Sequence, residues 1–187
     1  YEAPSEPFLQ IDTLSCTPDE AAQQLCDLVC LYQQLPQITK QLCDVSIAAG
    51  VEIMDVYNSD FAVQTKDDRS PLTQADLRAN KVIVDFLQKE YPHIAILSEE
   101  TKDTGARLQN PFCFIVDPLD GTKEFVRRNG EFTVNIGLCA YGKPLAGVVY
   151  APVTKTLWYA AVGCGAFSHA DDEKEYYAQA KRIFVSE

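Results

Sequence analysis

Histidine is almost missing from this chain: 187 residues carry only His93 and His169, far apart in sequence. The seven cysteines (Cys16, Cys26, Cys30, Cys43, Cys113, Cys139 and Cys164) contain no Cys-x-x-Cys spacing. A zinc site built on nitrogen and sulfur ligands is therefore a poor reading. The cysteines form no paired framework either. Several stand in apolar runs, where cysteine behaves as a small hydrophobe, and this usage suits a reducing cytoplasm. Basic residues are scarce as well. Sixteen Lys and Arg against 27 Asp and Glu leave a net charge of −11. Such a balance cannot neutralise a phosphate backbone, which argues against a nucleic-acid polymer as partner. It still permits a small phosphate ester, because bound metal ions invert the local field. No apolar run is long enough to span a bilayer, and no signal peptide, repeat or low-complexity tract is visible. The first residue is Tyr1, not Met, so the chain is read as a piece of a longer protein.

What is present is a core. Apolar residues make up 47% of the chain, and its 187 residues are enough for one domain or one and a fraction. Residues 1–36 differ in character from the rest. A proline-punctuated lead over 2–7 precedes a short strand expected over 8–13. Thr17 then reads as an N-cap with Pro18 at the first helical position. Ala21, Leu25, Leu28 and Val29 give a helical stripe to about Tyr32, and Pro36 is expected to end it. A second unit begins near Gln41. Leu42, Val45, Ala49, Ile53 and Val56 recur at three- and four-residue steps and predict a helix over 41–57. A strand over 61–66 and a loop over 67–71 follow. The next helix is expected from Thr73 to about Glu90, with Ala79, Ile83, Phe86 and Leu87 on one face and Tyr91-Pro92 as its stop. Beyond it the chain turns to β-structure, with strands expected over 94–98, 112–117, 132–140, 145–151, 156–162 and 182–186. Residues 163–165 read as a turn, and 171–180 as an acidic loop or short helix. The expected class is α+β, two long helices packed on a largely antiparallel sheet.

The chemistry concentrates at Asp117-Pro118-Leu119-Asp120-Gly121-Thr122, directly after the apolar run 112–116. Magnesium takes oxygen ligands in near-octahedral geometry. Pro118 lacks an N–H and is expected to break the strand ladder, so that a turn aims the two carboxylates and the Leu119 carbonyl at one point. Glu99, in the acidic pair Glu99-Glu100 after another strand-like run, would add a ligand. Two cations could then share Asp117, as in two-metal phosphoryl-transfer sites. The plainer reading makes Asp120 a helix N-cap and Asp117 a turn former. The whole hexapeptide beside a second acidic pair favours the metal reading, and with it a magnesium-dependent phosphatase. Gly121 and Thr122 would open the following helix, where free N–H groups favour an anion. The Thr122 hydroxyl could orient an attacking water.

Asp76 supports two readings equally. Thr73-Gln74-Ala75-Asp76 is a capping-box-like pattern with Asp in place of Glu or Gln. Yet Asp76 also falls on the buried stripe of its helix, where a carboxylate needs a partner. Thr122 is a candidate partner, and an Asp76–Thr122–water relay would give general-base help. Lys123, Arg127 and Arg128 could meet a second phosphate, with Glu131 orienting one of them, or simply form a solvated helix face. Trp158 and the tyrosines read as core or sheet residues.

The segments 97–100, 117–125 and 129–136, together with 70–76, 142–144 and 151–153, resemble the 3′(2′),5′-bisphosphate nucleotidases. These belong to the inositol monophosphatase superfamily of lithium-sensitive, magnesium-dependent phosphatases. The resemblance runs from about residue 41 to 187. It implies a sugar-phosphatase-type N-terminal domain, with a C-terminal α/β domain absent. It implies two or three magnesium ions, one held by Glu99, Asp117 and the Leu119 carbonyl and a second by Asp117 and Asp120. Glu99 and residues 119–122 (Leu119, Asp120, Gly121 and Thr122) would line the substrate, Glu100 would assist through water, and Asp76 with Thr122 would be catalytic. The implied reaction cleaves 3′-phosphoadenosine 5′-phosphate to AMP and phosphate. An inositol or sugar phosphatase is the neighbouring alternative, and an inert metal-binding or interaction module the alternative of another class.

Family members continue into a second domain that carries a further aspartate ligand, which this chain does not match, so little catalysis is expected of the piece alone. An apolar face should also be left open where that domain packs. Residues 1–36 resemble instead the C-terminal tail of adenylylsulfate kinases, through Tyr1-Glu2-Ala3-Pro4, Ile11-Asp12-Thr13 and 17–22. No P-loop is present. The pair of resemblances implies a kinase–nucleotidase fusion in sulfate assimilation, with a kinase domain upstream.

Overall fold

Among the described residues seven strands form one sheet, ordered as they follow in the chain, with two long helices on one of its faces. This computed structural model describes residues 8–12, 14–59, 71–103, 105–170 and 179–184. The strand expected over 61–66, the loop that follows it and most of the acidic stretch 171–180 lie outside the described residues. The strand expected over 8–13 is not formed by residues 8–12, which are irregular.

Helix α1 (Pro18–Tyr57) starts as its sequence dictates. The Glu20 N–H donates to Thr17 Oγ1, and Glu20 Oε2 accepts from the Thr17 N–H at 2.7 Å. Pro18 fills the first position. The helix then runs for 40 residues, straight through Pro36. The expected break there is a correction. An interior proline costs about 3 kcal/mol, but Leu28, Leu31, Leu35, Ile38 and Leu42 line one side of the same helix and are buried. Each such burial stabilises by roughly 1.5–3 kcal/mol, so the stripe outweighs the missing hydrogen bond. Pro36 itself faces solvent.

Helix α2 (Pro71–Glu90) packs beside α1. Ala75, Ala79, Ile83 and Leu87 are fully buried along it. It begins at Pro71, two residues earlier than expected, so Thr73 lies inside the helix and cannot be the cap of a box with Asp76.

Strand β1 (Ala95–Ser98) is parallel to β2 (Phe112–Asp120). From β2 onward every pair is antiparallel: β3 (Thr133–Ala140), β4 (Lys143–Ala151), β5 (Thr156–Ala161), β6 (Gly165–Ala170) and β7 (Lys181–Ile183). A short helix, α3 (Thr122–Arg127), bridges β2 and β3. The period of two holds along β3, where Val134, Ile136, Leu138 and Ala140 point into the core. Strand β6 carries no clear alternation and was not expected from the sequence.

Candidate active site

The acidic residues collect where β1 and β2 end. β1 and β2 run parallel, so they finish side by side. One residue past β1, the Glu99 N–H still donates to the Val116 carbonyl at 3.1 Å. That bond sets Glu99 beside Asp117, the next residue of β2. Ser98, the last residue of β1, is buried, and its hydroxyl donates to Asn80 Oδ1 at 2.6 Å. Asn80 lies one turn along α2 from Asp76, and both are buried. The turn carrying Glu99 and Glu100 is therefore pinned to the helix carrying Asp76.

The electrostatics follow from this crowding. Burial pushes the Asp76 carboxyl up from 3.8 to about 7, and the negative fields of Glu100, Asp117 and Glu99 add to the rise. Burial likewise raises Asp117 to about 6, with Glu99 and Asp120 contributing. The close Glu99 side chain also acts by hydrogen bonding to raise Asp117, while the Leu119 N–H opposes the rise. Among the described residues no Lys or Arg pairs with any of these five acids. A cluster of oxygen donors with its negative charge uncompensated matches what a hard divalent cation requires. Among the described residues no three His, Cys, Asp or Glu side chains come together closely enough to hold a metal ion as they stand. Glu99 and Asp117 lean together, while Asp120 turns to Asn135.

Two local expectations are corrected here. Pro118 does not end the strand: β2 continues to Asp120, and its register with β3 shifts between Asp117 and Asp120. Three residues of β2 are matched by two of β3, a bulge that absorbs the missing N–H of Pro118 and re-aims the side chains around it. Asp120 is not a helix cap. The residue before α3 is Gly121, left-handed at φ 94°, with no side-chain cap. Glycine is required there twice over, because a Cβ would also come within 2.8 Å of the Glu131 carbonyl oxygen. Helix α3 spans only six residues, too short for its dipole to form an anion site.

The structure thus brings Asp76, Glu99, Glu100, Asp117 and Asp120 into one electrostatic group. Leu119 is buried within the same bulge. The Leu119 N–H donates to Asp117 Oδ1 at 3.2 Å. Thr122 opens α3, which touches α2, but among the described residues it makes no hydrogen bond to Asp76. Arg128 is used elsewhere: it donates to the Ser59 carbonyl at 2.7 Å and lies over the Tyr57 ring. Glu131 accepts from Asn129 and, among the described residues, orients no arginine. Sequence reasoning missed Asn80, Ser98 and Asn135, because a lone Asn or Ser carries no signal until its buried partner is known.

Behind the acids, the sheet face turned away from the helices carries an open trough of about 520 Å³. Its floor is one register row across six strands: Ile115, Gly137, Gly147, Ala160, Ala166 and Ile183. Val149 and Trp158, each 38% exposed, stand above it. Asp117 and Asn135 line the same trough. No helix among the described residues is long and apolar enough to cross a membrane.

Comparison with known proteins gives this geometry a family context. The family described as the inositol monophosphatase family matches residues 34–183. A curated protein of Salmonella typhimurium, 3′(2′),5′-bisphosphate nucleotidase CysQ, is 42% identical over 166 residues, covering 75% of this chain and 68% of the relative. The protein of that name from Escherichia coli K12 is 42% identical over 165 residues, 74% of this chain and 67% of the relative. Among solved structures, CysQ from Bacteroides thetaiotaomicron is 40% identical with a TM-score of 0.66, over 77% of this chain and 56% of that one. Inositol monophosphatase-II from Staphylococcus aureus is 28% identical with a TM-score of 0.59, over 68% and 47% of the two chains. The chain therefore spans about two thirds of the curated relatives' length and little more than half of the Bacteroides structure.

Proposed function

This chain belongs to the inositol monophosphatase family, and from that premise we propose that it is the metal-binding part of a magnesium-dependent phosphomonoesterase. The substrate proposed is 3′-phosphoadenosine 5′-phosphate, cleaved to AMP and inorganic phosphate. The observation that carries the reading is the group of acids, without a basic counter-ion among the described residues, at the paired ends of β1 and β2. The family is in general metal-dependent, and an oxygen-only donor set suits magnesium. The 42% identity to a bisphosphate nucleotidase supports the nucleotide over an inositol phosphate.

In this reading Glu99, Asp117 and the Leu119 carbonyl hold one cation, and Asp117 and Asp120 a second. When bound, the cations supply charge compensation for the phosphoryl group and acidify a water. The chain's own residues do the rest. Asp76, its carboxyl held near 7, takes a proton from the attacking water, which the Thr122 hydroxyl helps to orient. The water oxygen forms a new P–O bond, the P–O bond to the 3′ carbon's oxygen breaks, and that oxygen leaves with a proton from solvent. Gly121 lets the phosphate approach the backbone.

The trough seats the downstream α/β domain that the longer relatives have length for. Residues 1–36 are proposed to derive from an adenylylsulfate kinase tail with a kinase upstream, although α1 runs unbroken through Pro36 and its Leu28, Leu31 and Leu35 are buried in this domain's own core. A coding sequence with no P-loop before Tyr1 contradicts the fusion.

The test is phosphate release by the longer protein from 3′-phosphoadenosine 5′-phosphate and from inositol 1-phosphate, each with magnesium and with chelator. Magnesium-dependent release from the nucleotide alone supports the reading. Preference for the inositol ester moves the protein to the sugar-phosphatase branch. No release from either, with no heat of magnesium binding, makes it an inert module.

A further inference from the structure

Asn135 sits on β3 directly opposite Asp117 in the ladder. Its side-chain amide donates to Asp120 Oδ2 at 3.0 Å. Its carbonyl is occupied too, accepting from the Thr133 hydroxyl at 3.1 Å. Thr133 is in turn the ladder partner of Asp120. The three side chains therefore form a closed relay spanning the bulge: Thr133 fixes which way the amide faces, and the amide fixes where the Asp120 carboxylate points.

We propose that Asn135, oriented by Thr133, is the positioning residue that presents Asp120 to a divalent cation. The proposal rests on the phosphatase reading above and deepens it. The bulge frees β2 from the ladder between Asp117 and Asp120, so the backbone alone does not hold the Asp120 carboxylate, which is solvent-exposed. A hydrogen bond to one oxygen removes that freedom and leaves the second oxygen available. The donor must also be neutral. A Lys or Arg in its place would satisfy the carboxylate and cancel the charge the cation needs, whereas an amide orders the group and leaves the charge intact. Asn is the side chain of suitable length that offers both a donor for Asp120 and an acceptor for Thr133. Partners of this kind, one shell out from the cation, commonly set metal affinity by 10- to 100-fold.

The experiment is manganese titration of this chain by electron paramagnetic resonance, with thermal melts beside it to register folding. Five proteins are compared: wild type, Asn135→Ala, Thr133→Ser, Thr133→Val and Asp117→Asn. Expected are a loss of about 10- to 100-fold in manganese affinity for Asn135→Ala, near wild-type affinity for Thr133→Ser, and melts that stay close to wild type. Thr133→Val, which removes the hydroxyl and keeps the shape, should weaken binding in the same direction. Wild-type affinity in Asn135→Ala, with binding lost in Asp117→Asn, overturns the role of Asn135 alone. Indifference of both variants, or no manganese binding by wild type, overturns the metal reading beneath it. If Asn135→Ala melts early, Thr133→Val carries the test, and its unchanged affinity overturns the proposal.

Discussion

The Ser98 hydroxyl donates to the side-chain carbonyl of Asn80 at 2.6 Å, both residues buried, and through that bond the acidic turn after β1 is held to α2. Ser98 also accepts from the Glu100 N–H at 3.3 Å. One hydroxyl thus fixes both the helix and the turn. Ser98→Ala leaves the Asn80 carbonyl without its donor, at a cost of about 1–3 kcal/mol. The expected result is a lower chemical-denaturation midpoint with an unchanged m-value. A double-mutant cycle with Asn80→Ala should return a coupling of at least about 0.5 kcal/mol. Simple additivity would show that the bond does not join the two elements.

The raised Asp76 carboxyl makes a stability prediction with a definite sign. In the folded chain it holds its proton up to about pH 7, but its ordinary value is 3.8. Between roughly pH 4 and 7 the folded state therefore binds more protons than the unfolded state, and stability falls as pH rises. With chelator present, the melting temperature should drop from pH 5 to pH 8, and Asp76→Asn should flatten that slope. Added magnesium should restore stability most at the alkaline end, where the acids are ionised. A melting temperature that climbs over this range in chelator would contradict the crowding described here.

Glycine at 147 has no reason to exist within the described chain. A Cβ there would find only the Ile136 carbonyl oxygen, at 3.9 Å. Gly147→Ala should therefore leave this chain as stable as before or raise its stability, by up to about 1 kcal/mol. A bulkier Gly147→Leu should fill the trough floor without harm to the chain, yet lower activity or stability in the longer protein, where the trough is proposed to be covered. Equal thermal melts of the longer protein with and without the leucine would argue that nothing sits on this face.

The same contrast between local and distant causes explains what the sequence disclosed. The 3.6-residue stripe of α2 and the alternation along β3 are local, and both elements formed within two residues of where their patterns predicted. The acids at 99, 117 and 120 stood out because strand-end carboxylates beside Gly-Thr are a rare local pattern. Pro36 misled, because its cost is local while the burial of Leu28, Leu31 and Leu35 that outweighs it depends on the sheet below. Asp120 carried a second, plainer reading beside the favoured metal one. Followed by Gly-Thr it reads as a cap, but the bulge keeps it in β2 and hands the cap position to Gly121. Asn80 and Asn135 were silent, since each matters through a partner 18 or 15 positions away.

The most direct test of the central claim is Asp117→Asn in the longer protein, assayed for phosphate release from 3′-phosphoadenosine 5′-phosphate at saturating magnesium. Asparagine keeps the shape and removes the charge that both proposed cations share. The account predicts that kcat falls by at least about a hundredfold while circular dichroism and the melting temperature stay near wild type. Turnover within a few-fold of wild type would contradict it.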